Sequence, residues 1–167
     1  MDIKLIALDL DGTLLNTRKQ ISERNLAALE KAAEAGIWIV PSTGRFYKGM
    51  PEIVRKLSIV RYVITINGAE VYDAAQDRAL YRAEIQPLLA DKLYAYMDTL
   101  PVIYDCYQNG WGWMDSRQYA QIDDFLEEPH QLDMTKRLRT PVESFRKTML
   151  ERNLPIQKSQ MFFRRAD

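Results

Sequence analysis

Apolar and polar positions fall in alternating blocks along the first half of the chain. Residues 3–8 form a short apolar run that stops at two acids and a glycine, as a strand buried on both faces does where it leaves a parallel sheet. Ser22 stands where a helix cap belongs, Leu26, Leu29 and Ala33 recur at helical spacing, and Gly36 occupies the place of a left-handed terminator. Residues 37–40 predict a second strand that runs into Ser42-Thr43-Gly44-Arg45. A helical stretch follows, and residues 62–66 predict a third strand ending at Asn67-Gly68. Strand, helix, strand, helix, strand implies right-handed crossovers and a parallel sheet, whose ligands sit beyond the carboxyl ends of the strands. All three polar clusters lie at such ends.

After Asn67 the pattern changes. Residues 69–72 and 79–83 read as a hairpin around Ala75-Gln76-Asp77, and residues 87–100 as a helix. Residues 102–107 and 111–114 flank Asn109-Gly110, a dipeptide suited to the positive backbone angles of a tight hairpin turn. Helices over 116–126 and 142–152 and a strand over 156–163 complete the expectation. The class is α/β, with one module over 1–83 and a second over 84–167.

At 167 residues the chain can bury a real core, and Lys plus Arg equals Asp plus Glu, 23 against 23. A balanced charge provides no field to draw nucleic acid or an anionic membrane, so a small molecule is the expected partner. The single cysteine, Cys106, excludes an intrachain disulfide and a Cys-rich zinc site, and reads as a buried thiol in a reducing compartment. The N-terminal apolar run is too short and too acidic for a signal peptide or a membrane span, which points to a cytoplasmic protein.

Asp9-Leu10-Asp11-Gly12-Thr13 carries the strongest chemical signal. Two carboxylates two residues apart in an extended chain face the same way, here at the mouth of the sheet, and suit a shared divalent cation. Mg²⁺ is normally held by few protein carboxylates, several waters and a substrate phosphate. With Asp9 and Asp11 as its ligands, Asp9 can attack phosphorus while Asp11 protonates the departing alkoxide and later activates water. Gly12 lets the backbone turn sharply close to a phosphate. A plain turn remains the alternative, but the five-residue pattern arises by chance on the order of one chain in a thousand. A calcium loop of the EF-hand type needs a further ligand before the glycine and a closing glutamate, and has neither here.

At the second strand end, the Thr43 hydroxyl and Gly44 amide can bind phosphoryl oxygens, and Arg45 can add a planar charged donor. At the third, Asn67-Gly68 can donate to a substrate oxygen. Alone, the first is more often a helix cap and the second a turn; their convergence on one sheet edge is what counts. His130, beside Glu127, Glu128 and Pro129, reads as a solvated loop residue. Trp111, Trp113, Tyr104 and Tyr107 read as cross-strand packing on the second hairpin.

The chain resembles the haloacid dehalogenase superfamily, in particular its Cof-like subgroup of sugar phosphatases, through Asp9-Leu10-Asp11-Gly12-Thr13-Leu14-Leu15, Ser42-Thr43-Gly44-Arg45 and Ile66-Asn67-Gly68-Ala69. The resemblance implies Asp9 as nucleophile and Mg²⁺ ligand, and Asp11 as acid/base and ligand through its backbone carbonyl. It implies Thr43 as a phosphate-binding hydroxyl, with the amides of Leu10 and Gly44 beside it. It also implies a partial Rossmann-like, parallel three-layer core into which an α/β cap is inserted from about Glu84. The family's third-motif lysine and fourth-motif acidic cluster have no counterpart, since Lys158 falls on a cap strand and no Gly-Asp-x-x-Asn-Asp segment occurs. The expectation is a phosphatase truncated within its cap, impaired in turnover, whose uncovered first-strand edge invites pairing with another chain. A non-catalytic phosphate-binding remnant is the competing reading. A phospho-receiver domain is disfavoured, because Asn67 stands where its accepting aspartate belongs.

Overall fold

The computed structural model describes residues 3–164. The chain divides into two compact units, one running through Ala83 and the other from Glu84.

The first unit contains β1 (Leu5–Asp9), α1 (Glu23–Glu34), β2 (Trp38–Ser42), a 3-10 turn at Tyr47–Gly49, α2 (Glu52–Arg55), β3 (Tyr62–Thr65), a second 3-10 turn at Ile66–Gly68, β4 (Glu70–Asp73) and β5 (Arg78–Arg82). The sheet order is β1-β2-β3-β4-β5. The first three strands are parallel and the last two join antiparallel, so the hairpin expected after Asn67 extends the same sheet. The Ser22 side chain accepts from the Asn25 amide at 3.2 Å, satisfying one of the donors that a helix N-terminus leaves orphaned. Gly36, at φ 80°, releases the chain into β2.

Leu10, Leu15, Ile39, Val54 and Val63 form the buried centre, against which Leu29, Ala32 and Ala33 of α1 and Ile6 and Leu8 of β1 pack. The alternate positions Leu5 and Trp38 are 51% and 47% exposed, so the helices lie against one face of the sheet. Among the described residues β1 pairs only with β2, which makes it an edge strand.

The second unit contains α3 (Pro87–Met97), β6 (Val102–Gln108), β7 (Trp111–Asp115), α4 (Ser116–Ala120), a 3-10 turn at Ile122–Asp124, α5 (Pro129–Arg137), β8 (Arg139–Val142), α6 (Phe145–Arg152) and β9 (Lys158–Phe163). Its sheet runs β8-β7-β6-β9. On one face Tyr94, Tyr104 and Phe145 pack as an aromatic trio with ring centroids 5.1 to 5.7 Å apart, beside Cys106 and Met149. On the other, Ile103, Met114 and Ile122 pack with Leu132 and Phe162.

Three expectations for this unit need correction. The helix over 116–126 breaks at Gln121, leaving α4 and a 3-10 turn. The loop containing His130 is the first turn of α5, with Pro129 at its start. The helix expected from 142 begins at Phe145, because residues 139–142 are a strand parallel to β7. His130 is exposed, and Cys106 is fully buried, as its sequence context suggested.

Candidate active site

Strand register brings the first two motifs together. Asp9 pairs with Ser42 at the carboxyl ends of β1 and β2, so the residues leaving each strand emerge side by side. Beyond Asp9 the chain makes one wide turn, with the Leu14 amide on the Asp9 carbonyl at 3.2 Å and the Leu15 amide on the Leu10 carbonyl at 2.9 Å. Gly12, at φ 80°, sits in that turn, and the Leu10 side chain anchors it in the core.

The third motif is tied on by main-chain bonds. Thr43 N–H donates to Ile64 O at 2.9 Å, Asn67 N–H to Thr43 O at 3.0 Å, and Ile66 N–H to Arg45 O at 2.9 Å. An open depression of about 470 Å³ results, lined by Ala7, Leu8, Asp9, Ser42, Thr43, Gly44 and Asn67. Thr43 is only 4% exposed, and its hydroxyl accepts from the Arg45 amide at 3.3 Å. The Asn67 side chain lies so close over Gly44 that a Cβ there would stand 3.1 Å from both its amide atoms.

The two aspartates stand in different surroundings. Asp9 accepts a 3.3 Å hydrogen bond from the Thr13 hydroxyl and has no ion pair among the described residues. Asp11 does not line the depression. It accepts from Arg45 Nε and Nη2, each at 3.0 Å, and from Lys19 Nζ at 2.9 Å. Burial raises the Asp11 carboxyl, but the Lys19 hydrogen bond and the charge and hydrogen bonds of Arg45 outweigh it and hold the group below the ordinary carboxylate value. Arg45, expected as a phosphate donor, thus directs its guanidinium at Asp11 and, through Nη1, at Gly49 O at 3.4 Å. Gly68 is exposed and does not line the depression, and Gly12 lines a neighbouring hollow with Thr13 to Thr17, Ser22 and Asn25. Lys19 had no signal in the sequence: it is one of several surface lysines, singled out only by a left-handed turn at φ 57°.

No group of three or more His, Cys, Asp or Glu able to hold a metal occurs among the described residues. The donors at the depression, one carboxylate and nearby main-chain oxygens, therefore do not suit an all-protein cage. They fit a hard, hydrated cation completed by water and substrate oxygens, as Mg²⁺ usually is.

The second unit has a larger open cavity of about 690 Å³, bordered by Asp98, Asp115, Arg117 and Arg146 among others. Its charges are largely engaged within the fold: Arg146 bridges Asp91 and Asp98, and Asp115 caps α4. No helix among the described residues is long and apolar enough to cross a membrane.

The first unit thus presents a mixed sheet with an acid pair and a Thr-Gly turn at adjoining strand ends, the edge where ligands of open α/β sheets bind. The chain belongs to the haloacid dehalogenase-like hydrolases, whose family model it matches over residues 6–164. It is 43% identical over 74 residues to 5-amino-6-(5-phospho-D-ribitylamino)uracil phosphatase YcsE of Bacillus subtilis, covering 44% of this chain and 30% of that one. With phosphatase YwpJ of the same organism it shares 32% identity over 141 residues, 80% of this chain and 48% of the relative. The chain thus spans about half the length, or less, of these curated relatives. The solved structure of a haloacid dehalogenase-like hydrolase from B. subtilis superposes with a TM-score of 0.71 at 25% identity, covering 92% of this chain and 59% of that one. TM0651 from Thermotoga maritima, at 22% identity and a TM-score of 0.66, shares the fold over 92% of this chain and 54% of its own.

Proposed function

We propose that the chain carries the nucleophile side of a Mg²⁺-dependent phosphatase acting in the cytoplasm on small phosphomonoesters such as sugar phosphates. The carrying observation is the depression where Asp9 meets Thr43, Gly44 and Asn67. In this reading residues 1–83 are the first part of the catalytic core and residues 84–167 part of the cap that selects substrate. The phosphatases named among the relatives support a phosphate ester as substrate.

The Asp9 carboxylate attacks phosphorus in line with the ester oxygen, forming an aspartyl phosphate as the P–O bond to the leaving alkoxide breaks. The Thr43 hydroxyl, the Leu10 and Gly44 amides and the Asn67 amide hold the phosphoryl oxygens. Asp11, once released from the Arg45 and Lys19 contacts that hold both its oxygens, gives a proton to the alkoxide, then takes one from the water that displaces Asp9 and releases inorganic phosphate. The Asp9 carboxylate and the Asp11 main-chain carbonyl are the groups that would hold Mg²⁺, which when bound would offset the repulsion between carboxylate and phosphate dianion.

The 167 residues hold no counterpart of the third-motif lysine or the fourth-motif acidic cluster, so turnover by this chain is slow and phosphate binding persists. A second reading, a phosphate-binding remnant that self-associates, draws on the edge position of β1 with Leu5 half exposed. Purified chain assayed with p-nitrophenyl phosphate and sugar phosphates, with and without Mg²⁺ and beside Asp9→Asn, separates the two. Weak, Mg²⁺-dependent turnover abolished by Asp9→Asn supports the phosphatase. Phosphate affinity without turnover, in a dimer by sedimentation, supports the remnant, and absence of both overturns each.

A further inference from the structure

We infer that Lys19 and Arg45 are positioning residues that act on phosphate through Asp11, by masking its charge, and that Arg45 is not itself a phosphate ligand. The inference rests on the proposed phosphatase reading and adds to it a role for two cations. Both oxygens of Asp11 are occupied: Oδ2 by Arg45 Nε, Oδ1 by Arg45 Nη2 and Lys19 Nζ. The Arg45 fork is bidentate, the arrangement that fixes a carboxylate most firmly, and its remaining terminal nitrogen faces Gly49 O. The Arg45 side chain is only 12% exposed, so reaching a phosphate at the depression means first breaking two good hydrogen bonds.

Lys19 is delivered by a built turn. The Asn16 side chain accepts from the amides of Arg18 and Gln20, at 2.9 and 3.0 Å, and the Lys19 amide closes back on Asn16 O at 2.9 Å. That turn holds Lys19 in the left-handed region, which a lysine adopts at a cost, and aims its ammonium at Asp11.

A phosphate dianion entering beside Asp9 meets a second carboxylate two residues away. With two cations on that carboxylate the repulsion is cancelled; with one removed, part of it returns. At separations of roughly 8 Å and solvent-like screening, a unit charge against a dianion changes affinity roughly fivefold. A direct phosphate ligand would lose a charge-assisted hydrogen bond as well, so that its removal would weaken binding by more than about twentyfold.

A double-mutant cycle read by isothermal titration of inorganic phosphate, with Mg²⁺ present, tests this without requiring turnover. Arg45→Met and Lys19→Met are each expected to weaken phosphate binding roughly fivefold, and by a similar factor in an Asp11→Asn background because charge contributions add, while Asp11→Asn alone strengthens binding roughly fivefold. Lys19→Arg restores the wild-type affinity. Thermal melting of every variant confirms that each is folded. An Arg45→Met loss of more than about twentyfold, well beyond that of Lys19→Met, or an Asp11→Asn variant that binds phosphate no more tightly than wild type, overturns the inference while leaving the phosphatase reading intact. Wild-type chain that binds no phosphate, or binding that Thr43→Val does not weaken, overturns the phosphatase reading and the inference with it.

Discussion

Arg139→Met in β8 tests how the second unit is held together. Its guanidinium crosses β7 to reach Asp105 on β6, and the pair is almost wholly enclosed, with side-chain exposures of 3% and 0%. Arg139 Nε donates to Asp105 Oδ2, Nη2 to the Tyr107 hydroxyl at 2.8 Å and Nη1 to Leu138 O at 3.1 Å. The guanidinium also stacks 4.6 Å from the Tyr107 ring centre. Gln160 adds a 3.1 Å donor to the same carboxylate oxygen, while Asp105 Oδ1 has no hydrogen-bond partner among the described residues. Truncating one partner of such a pair strands the other charge, a loss of about 3–5 kcal/mol. Burial pushes the Asp105 carboxyl up, and Arg139 and the Lys158 ammonium both pull against it, so Lys158 compensates in part when Arg139 is gone. The lower end is therefore expected, about 3 kcal/mol at pH 7 and a large share of the stability of a small domain.

The pH dependence has a definite sign. Without Arg139, burial raises Asp105 further in the folded state, so the folded variant binds more protons than the unfolded chain above the unfolded carboxylate value. Its stability then falls as pH rises through the interval between the two values, and the deficit against wild type is smaller at pH 5 than at pH 7. Urea unfolding followed by tryptophan fluorescence reads this unit through Trp111 and Trp113, with Trp38 reporting the other. Replacing both partners by apolar side chains, Asp105→Leu with Arg139→Met, is expected to recover most of the loss. A single-variant loss under about 1 kcal/mol, or a double variant no more stable than the single, would refute the reasoning that the pair is an obligatory charge partnership.

Two further outcomes follow from close packing in the same unit. Gly112→Ala places a Cβ 2.5 Å from Arg139 Cδ and from Leu138 O, and since the second is main chain the strand itself must move; a loss of about 1–3 kcal/mol or more in urea unfolding is expected. Cys106, whose thiol burial pushes up to about 12, is expected to resist iodoacetamide at pH 8 in the folded chain and to react fully in urea, read by mass spectrometry.

The first unit was legible because its signals are local. An apolar run ending in acids, a Ser cap with Gly terminator and a second apolar run define β1, α1 and β2 without tertiary help; an equally local signal in the second unit is Asn109-Gly110, which at φ 53° and 72° turns the β6–β7 hairpin as the dipeptide suggests. In the second unit the decisive contacts are distant. Residues 139–142 contain a proline and little alternation, and become a strand only because β7 pairs with them on one side. The α5 start was readable in principle, since Pro129 suits the first helical position, but the acids around it read as loop. At the site, the motif positions were legible while the partners of Asp11 were not. Its bidentate partner lies 34 residues away, and the cation beside it depends on one strained turn.

The junction after β3 shows why side-chain chemistry alone does not build this site. Ile66 and Asn67 are both left-handed, at φ 54° and 56°, and a β-branched residue there is a genuine outlier. Strain of about 1–3 kcal/mol at each residue has to be met locally. The amides of Ile66 and Asn67 bond to the carbonyls of Arg45 and Thr43, contributing about 0.5–1.5 kcal/mol each, and the Ile66 side chain, 2% exposed, adds about 1.5–3 kcal/mol of burial. The two sides nearly balance, so the conformation persists only while Ile66 stays buried and the strand ends stay joined. What the strain achieves is placement: it swings Asn67 over Gly44, where a Cβ would stand 3.1 Å from its side-chain amide and push it aside by a few tenths of an ångström, and brings the ends of β2 and β3 to one depression beside Asp9. The turn is held from both sides, by main-chain bonds to Thr43 and Arg45 and by the Ile66 side chain in the core, while Asn67 is exposed.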